Sequence, residues 1–428
     1  MNKNSIIGLL LIFAIMIGYT VMMSPSKEEL EARKRTQDSI AAVQQSVSDS
    51  IRVQQVQREE LKNSVAEVQA QAKDIDSGAM VSARNSVFGP FAVSASGVNK
   101  DFIIETDLLR LTISNKGGRI SKVELKEYKT FDGEPAYLFL PDSSMFELAF
   151  FTDVRPISTG NLYFLPSWTD QRFEGQDELK ISGDDSLHFA MRLFAGNSDS
   201  VSLPDSYIEY LYTVKANDYM VDFEVNFVNM EGVIAPNTKE LNVNWNARLL
   251  RQEKNLENEK LNTTIHFRHS DGEVDYLSER KDDSKNINTR VKWVSFKQQF
   301  FSASLIAGEL FQNAELSKVR EPEKEAKYLE QMQAVLSLPF NPMVDKSLEM
   351  AFYFGPNKYN LMRRYKLDLE RQIPLGWSFF LMQWINRFAV IPVFNFLEGF
   401  NLNYGIIILI LTILLKIVLF PIDRKSVV

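Results

Sequence analysis

The chain has 428 residues, enough for two or three domains, and its 45% apolar and 24% charged residues are the balance of a folded protein. A net charge of -7 leaves no basic surplus to neutralise phosphates, which argues against a nucleic-acid-binding role. The absence of cysteine excludes a disulfide framework, a thiolate zinc site, a cysteine nucleophile and an acylated cysteine anchor.

Residues 5–23 form an uncharged apolar run preceded by Lys3, long enough to cross a hydrocarbon core. No small-x-small cleavage site closes it, which favours an uncleaved anchor, residues 1–24, over a signal peptide. Residues 25–97 read as a helical spacer and linker. Between 26 and 77 there is no glycine or proline, and a weak heptad seam runs from Ile40 through Val47, Ile51 and Leu61 to Val68. A solvated spacer, a partly disordered tether and a self-associating coiled coil all fit that seam. Residues 78–97, with Gly89 and Pro90, have linker composition.

From about residue 98 the period changes to two. Leu109, Leu111 and Ile113 alternate with polar residues, Asn115-Lys116-Gly117-Gly118 is a turn, and Val123 and Leu125 lie on the return strand. The alternation recurs at Ile208 to Val214, at Val221 to Phe227, and at Leu241, Val243 and Trp245. Few helices interrupt it, so residues 98–370 are expected to form a large antiparallel β-sandwich. Residues 371–403, rich in Trp and Phe but broken by Gln383, Arg387, Pro392 and Glu398, suit an amphipathic helix at a membrane surface. Residues 404–428 hold the apolar run 405–420, with Lys416 its single charge and Pro421 at its end. A lysine in such a span costs about 3 kcal/mol on insertion scales. Snorkelling of its stem to the headgroups and a role in a hydrated cavity are the two readings. Lys27, Arg33, Lys34 and Arg35 after the first run oppose export on a simple positive-inside count, whereas Arg424 and Lys425 place the C-terminus in the cytoplasm. Long domains translocate largely regardless of charge, so the region between the spans is read as exported.

Chemistry in the β region is sparse. His188, His266 and His269 are the only histidines, and residues three apart on a strand face opposite ways, so His266 and His269 do not converge on a metal. No nucleophile elbow frames a serine, and Gly117-Gly118 has neither Walker nor dinucleotide spacing. The expectation is a protein that is not an enzyme, with no metal and no cofactor.

Several segments carry a resemblance. Residues 106–113, Thr-Asp-Leu-Leu-Arg-Leu-Thr-Ile, with Gly117-Gly118; residues 293–301, Trp-Val-Ser-Phe-Lys-Gln-Gln-Phe-Phe; Phe354-Gly355-Pro356; and Tyr404-Gly405 leading to Lys416 and Pro421 together resemble the YidC membrane protein insertases. The resemblance runs from about residue 101 to the end, and the order of its pieces is more specific than any one of them. It implies a periplasmic β-supersandwich, a fold shared with mutarotase-like proteins, and a bacterial inner-membrane, multi-pass location. Implied partners are nascent membrane proteins, the lipid bilayer, the Sec translocon and the ribosome, with no nucleic acid. Lys416 would line a client-receiving groove, Gly376, Trp377 and Trp384 would place the chain at the membrane surface, and Pro421 would shape the helix exit. The family usually has arginine where Lys416 stands, so the charge is kept without the planar fork. Its core has five helices, of which this chain is expected to hold the first. The alternatives from other classes are an envelope-anchored carbohydrate- or protein-binding β-sandwich module and a scaffold that pairs through residues 26–77.

Overall fold

The computed structural model of the protein describes residues 84–152, 155–196, 205–321, 327–344, 347–375, 385–400 and 402–423. The expected N-terminal anchor and most of the spacer lie outside the described residues. The unit described below is Val87–Val428.

A 3-10 helix, Gly89–Ser94, opens it, with Pro90 at the first-turn position where its missing N–H costs nothing and Phe91 and Ala92 wholly buried. Part of the segment with linker composition therefore belongs to the β domain, because Phe91 supplies core surface that a composition rich in Ser and Gly hides. The first four strands, β1 (Asp101–Glu105), β2 (Leu109–Ser114), β3 (Arg119–Lys129) and β4 (Pro135–Phe139), are consecutive antiparallel neighbours. Next come the pair β5 (Ser144–Phe151) and β6 (Pro156–Ser158), then the short β7 (Leu165–Ser167) and β8 (Glu178–Lys180). A meander of β9 (Ser186–Phe194), β10 (Tyr207–Lys215) and β11 (Met220–Val228) precedes the long β12 (Glu240–Leu250). Helix α1 (Leu256–Leu261), capped by the Asn255 side chain, leads into β13 (Thr264–His269), β14 (Val274–Tyr276) and β15 (Asp283–Ile287). The hairpin of β16 (Val291–Lys297) and β17 (Phe301–Phe311) is followed by β18 (Asn313–Arg320), β19 (Tyr328–Pro339) and β20 (Ser347–Pro356). Helices α2 (Tyr359–Arg364), α3 (Ile391–Glu398) and α4 (Tyr404–Asp423) close the chain, with a π-helical turn, Asn386–Val390, before α3.

Among the described residues these strands make three sheets: β4-β3-β2-β1-β8, β14-β13-β16-β17-β20-β11-β10-β9-β7, and β15-β18-β19-β12-β5-β6. The nine-stranded sheet is one layer, and the other two sheets together form the second. Aromatic rings knit the layers: Trp245 of β12 stacks on Phe296 of β16 at 4.0 Å, Phe146 of β5 meets Phe223 and Phe352 edge-on at 5.5 Å, and Phe139 of β4 meets Phe354 at 5.8 Å. The fold is the expected mainly-β sandwich. One strand pair departs from the antiparallel expectation: β8 runs parallel to β1, reached by an excursion through β5 to β7 that no local pattern announces. The predicted alternation holds on β2, β10, β11 and β12, whose odd or even positions are buried in turn.

The β2–β3 turn needs its glycines. Gly117 and Gly118 take φ of 82° and 62°, and a Cβ on Gly118 would stand 2.7 Å from the Phe164 ring.

Candidate functional site

Two places combine chemistry with position: the apolar C-terminal helix that carries Lys416, and the clasp that fixes where the chain leaves the β domain.

Helix α4 starts behind Asn403, whose side-chain oxygen accepts from the Gly405 N–H at 2.8 Å and whose carbonyl accepts from Ile406 and Ile407. Thr412 returns its hydroxyl to the Ile408 carbonyl at 2.8 Å, so no polar group projects from that turn. Ile406, Ile408, Leu409, Ile413, Leu414, Leu415 and Ile417 are all exposed, so apolar surface girdles the helix. A helix apolar all round is unstable in water and needs lipid or protein about it. Lys416 is exposed among these side chains, and no ion-pair partner for it is present among the described residues. Among the described residues no helix is long and apolar enough to cross a membrane. Pro421 falls in the last turn of α4, two residues before its end at Asp423. Gly376, Trp377 and Trp384 lie outside the described residues. The expected surface helix is represented by residues 385–400, where Phe388, Phe396 and Phe400 are exposed. In that helix Phe394 stacks on Tyr404 of α4, and the Tyr404 hydroxyl donates to Glu398 at 3.1 Å.

The clasp is built from the segment at 293–301. Val294 and Phe296 point into the sandwich, which leaves Trp293, Ser295 and Lys297 on the opposite face of β16. In a sheet with one wet face these would be exposed, yet all three are buried. The chain after β20 folds back over them. Trp293 donates its indole N–H to the Leu367 carbonyl at 2.7 Å, and the Ser295 hydroxyl donates to Gln372 Oε1 at 2.9 Å while receiving the Ser304 hydroxyl at 2.8 Å. Ser302 donates to Asn357 Oδ1 at 2.5 Å, and the Asn357 amide donates to the Gln298 and Phe301 carbonyls at 2.9 and 3.2 Å. Gln298 in turn donates to the Leu250 carbonyl at 2.6 Å. Lys366 and Asp368 bracket Leu367 with φ of 57° and 59°, a strained conformation for non-glycine residues. Arg268 pairs with Asp368 at 2.9 Å and Arg371 donates to the Gly272 carbonyl, holding the strained turn down. The result is a polar seam under residues 357–372, the connector between the β domain and the C-terminal helices.

Buried charge flanks the clasp. Lys297 reaches the Asn262 carbonyl at 2.9 Å, and its burial lowers the ammonium pKa to about 8. Burial likewise lifts the Glu259 carboxyl to about 7, against two backbone N–H donors, Gln252 and Glu253, that favour its charged form. Lys318 and Glu330 form a fully buried pair at 2.9 Å, with Lys318 also donating to the Thr263 carbonyl. Desolvation raises Glu330 to about 7 despite that partner. His266 is buried with its ring on Tyr276, and burial and the nearby Lys297 keep it neutral. Among the described residues no group of His, Asp and Glu is arranged to hold a metal.

The outer face of the nine-stranded sheet holds a cleft of about 370 Å³ between Thr213, Asp222, Glu224, Lys292 and Glu349. Lys292 is committed there to the carbonyls of Ala307, Gly308 and Glu309. Sequence reading marks residues 293–301 only as a stretch of family resemblance and names none of the clasp residues, Asn357, Leu367 and Gln372 included, as part of a site. The available signal was Ser295, Lys297 and Gln298 standing in an otherwise apolar strand, since polar residues inside a core run imply partners.

A two-layer β-sandwich is thus joined by a hydrogen-bonded connector to a largely apolar helix whose one cation is Lys416. The model of the YidC periplasmic domain family matches residues 102–388, and the chain belongs to that family. The membrane protein insertase YidC of Parabacteroides distasonis is 35% identical over 435 residues, covering 100% of this chain and 64% of that protein. The membrane protein insertase YidC of Bacteroides fragilis strain ATCC 25285 is 31% identical, covering 100% of this chain and 63% of its own length. The chain thus spans a little under two thirds of the length of these curated relatives. A galactose mutarotase related enzyme from Lactobacillus acidophilus overlays with a TM-score of 0.35 at 11% identity, over 60% of this chain and 97% of that one, a likeness too slight to carry an argument.

Proposed function

We propose that this chain is the front portion of a membrane protein insertase of the bacterial inner membrane, multi-pass when complete, with its β domain on the periplasmic side. The observation that carries the reading is the conjunction of the family's β domain with α4, whose one cation, Lys416, stands among the exposed apolar side chains of Ile406 to Ile417. In this reading residues 1–24 anchor the chain, and residues 371–403, with Gly376, Trp377 and Trp384, lie along the membrane surface. Helix α4 is then the first helix of the membrane core, and Pro421 shapes its exit. Lys416 holds water and polar parts of a nascent membrane protein in a groove, and the client's apolar helix then leaves for lipid. The driving force is burial of client apolar surface, at about 25 cal/mol per Å², so no bond is made or broken and no nucleotide is needed. The Sec translocon and the ribosome are the expected partners of such a machine.

Substitution of Lys416 at the native locus tests this. Lys416→Arg is expected to sustain growth and insertion of inner-membrane proteins, and Lys416→Leu to impair both. An anchored binding module would instead tolerate leucine, since removing a charge from an apolar span favours membrane residence by about 3 kcal/mol.

A further inference from the structure

The end of the β domain from which the connector leaves exposes three large apolar side chains from three separate elements. Phe131 tips the β3–β4 loop, Phe300 tips the β16–β17 turn, and Leu261 ends α1; each is more than two fifths exposed. They belong to one surface. Tyr128 meets Phe301 edge-on at 5.2 Å, and Gln298 beside Phe300 is bonded to Leu250, whose neighbour Arg251 stacks on Phe131 at 4.8 Å. The Phe131 N–H donates to the Gln252 carbonyl, and Lys297 holds the carbonyl of Asn262, next to Leu261.

The start of α4 lies at this same end. The Asn357 N–H donates to the Phe300 carbonyl at 2.7 Å, and the Lys358 ammonium sits 5.8 Å above the Tyr128 ring. Burial works to lower the Lys358 pKa, but Tyr128 and the nearby Glu398 and Tyr404 side chains outweigh it and the net shift is upward. Glu398 ends α3 and Tyr404 begins α4, so the junction of the two helices with exposed apolar surface lies on the Lys358 side of the Phe300 tip.

We propose that the Phe131, Leu261 and Phe300 end of the β domain rests in the interface of the lipid bilayer, a second membrane contact besides α3 and α4. The inference depends on the membrane reading given above. Charge around the tips is mixed, Lys129, Arg251 and Lys254 against Asp132, Glu134 and Glu257, so the contact is apolar and does not select anionic lipid. Bulky apolar tips among charged residues are suited to the headgroup boundary, where the body of the ring is dehydrated and its surroundings stay wet.

The chain has no cysteine, so single labels are unambiguous. Phe300→Cys, Met343→Cys and Ile413→Cys, each carrying an environment-sensitive fluorophore, are placed in the full chain in phosphatidylcholine vesicles with lipid-borne spin quenchers. Met343 is an equally exposed apolar residue at the opposite end, beyond β20, which spans about 30 Å at about 3.3 Å per residue. The inference expects quenching at Phe300 that is strongest with quenchers about 5–10 Å below the headgroups, none at Met343, and no change when phosphatidylglycerol is added. Adding Phe131→Ser and Leu261→Ser should weaken the Phe300 signal. Phe300 behaving like Met343 while Ile413 is quenched overturns the docking and leaves the membrane reading intact. Loss of quenching at Ile413 and Phe300 together overturns both, and Phe300 shielded from aqueous quenchers but not reached by lipid ones assigns the surface to a protein and overturns the proposal.

Discussion

The clasp makes a quantitative claim about Gln372. Its Oε1 accepts from Ser295 at 2.9 Å and from Ser302 at 3.3 Å, and Ser302 has a much shorter acceptor in Asn357. Gln372→Leu keeps the volume roughly constant but leaves the Ser295 hydroxyl, completely buried, with no acceptor. Stranding one neutral buried donor costs about 1–3 kcal/mol, so we expect about 2 kcal/mol. Ser295→Ala removes the donor and strands Ser304 in turn, at about 1–2 kcal/mol. Because both changes delete the same bond, the double variant should lose about 1 kcal/mol less than the sum of the singles. Urea unfolding of the full chain in detergent gives the three values, and hydrogen exchange of residues 359–372 should accelerate in Gln372→Leu more than exchange in β10 or β11. Additivity within about 0.3 kcal/mol, or exchange unchanged in the connector, would refute the clasp as an energetic unit.

Other expectations follow from the buried charges and the turn. Lys318→Met alone should destabilise by up to about 3–5 kcal/mol by leaving Glu330 buried with only Arg320, at 3.5 Å, as an ion partner, whereas Lys318→Met with Glu330→Met should lose less in urea unfolding. Glu259 has a folded pKa raised to about 7 from 4.5, so the fold favours its protonated form and its contribution is lost as pH rises through that window, by about 3 kcal/mol. Lys297 has a folded pKa lowered to about 8, so its penalty is relieved as pH rises above that value. Glu330, raised to the same value, adds to the fall, so stability against urea should pass through a minimum at about pH 7–8, and Glu259→Ala should make the descending arm shallower. Gly118→Ala should cost about 2 kcal/mol or more from positive φ and the Phe164 contact, read as a lowered Tm.

The parts of the fold that sequence reading reaches are those with one wet face. On β10, Ile208, Tyr210, Tyr212 and Val214 are buried while Glu209, Leu211 and Thr213 are partly exposed, so the period of two is visible in the residues themselves. β16 defeats the same reasoning because the connector covers its second face, and six of its seven positions are buried. The β1–β8 pairing is equally opaque, since strands some 70 residues apart in sequence leave no short-range trace of their register. Gln372 and Leu367 act through a carbonyl and an amide whose partners are set only by the fold. Lys416 needs no fold to be noticed, because the cost of a charge in an apolar run is a property of the run itself.

The role proposed for Lys416 requires position 416 to face client protein inside the membrane, which site-specific photocrosslinking can show. A photoreactive residue is placed at Lys416 and, separately, at Met343, in the protein expressed from its own locus, with ribosomes stalled on a nascent inner-membrane protein. An adduct is expected between position 416 and the nascent chain's transmembrane segment, and none from Met343. Adducts from position 416 to lipid alone, with the nascent chain inserting normally, would contradict it.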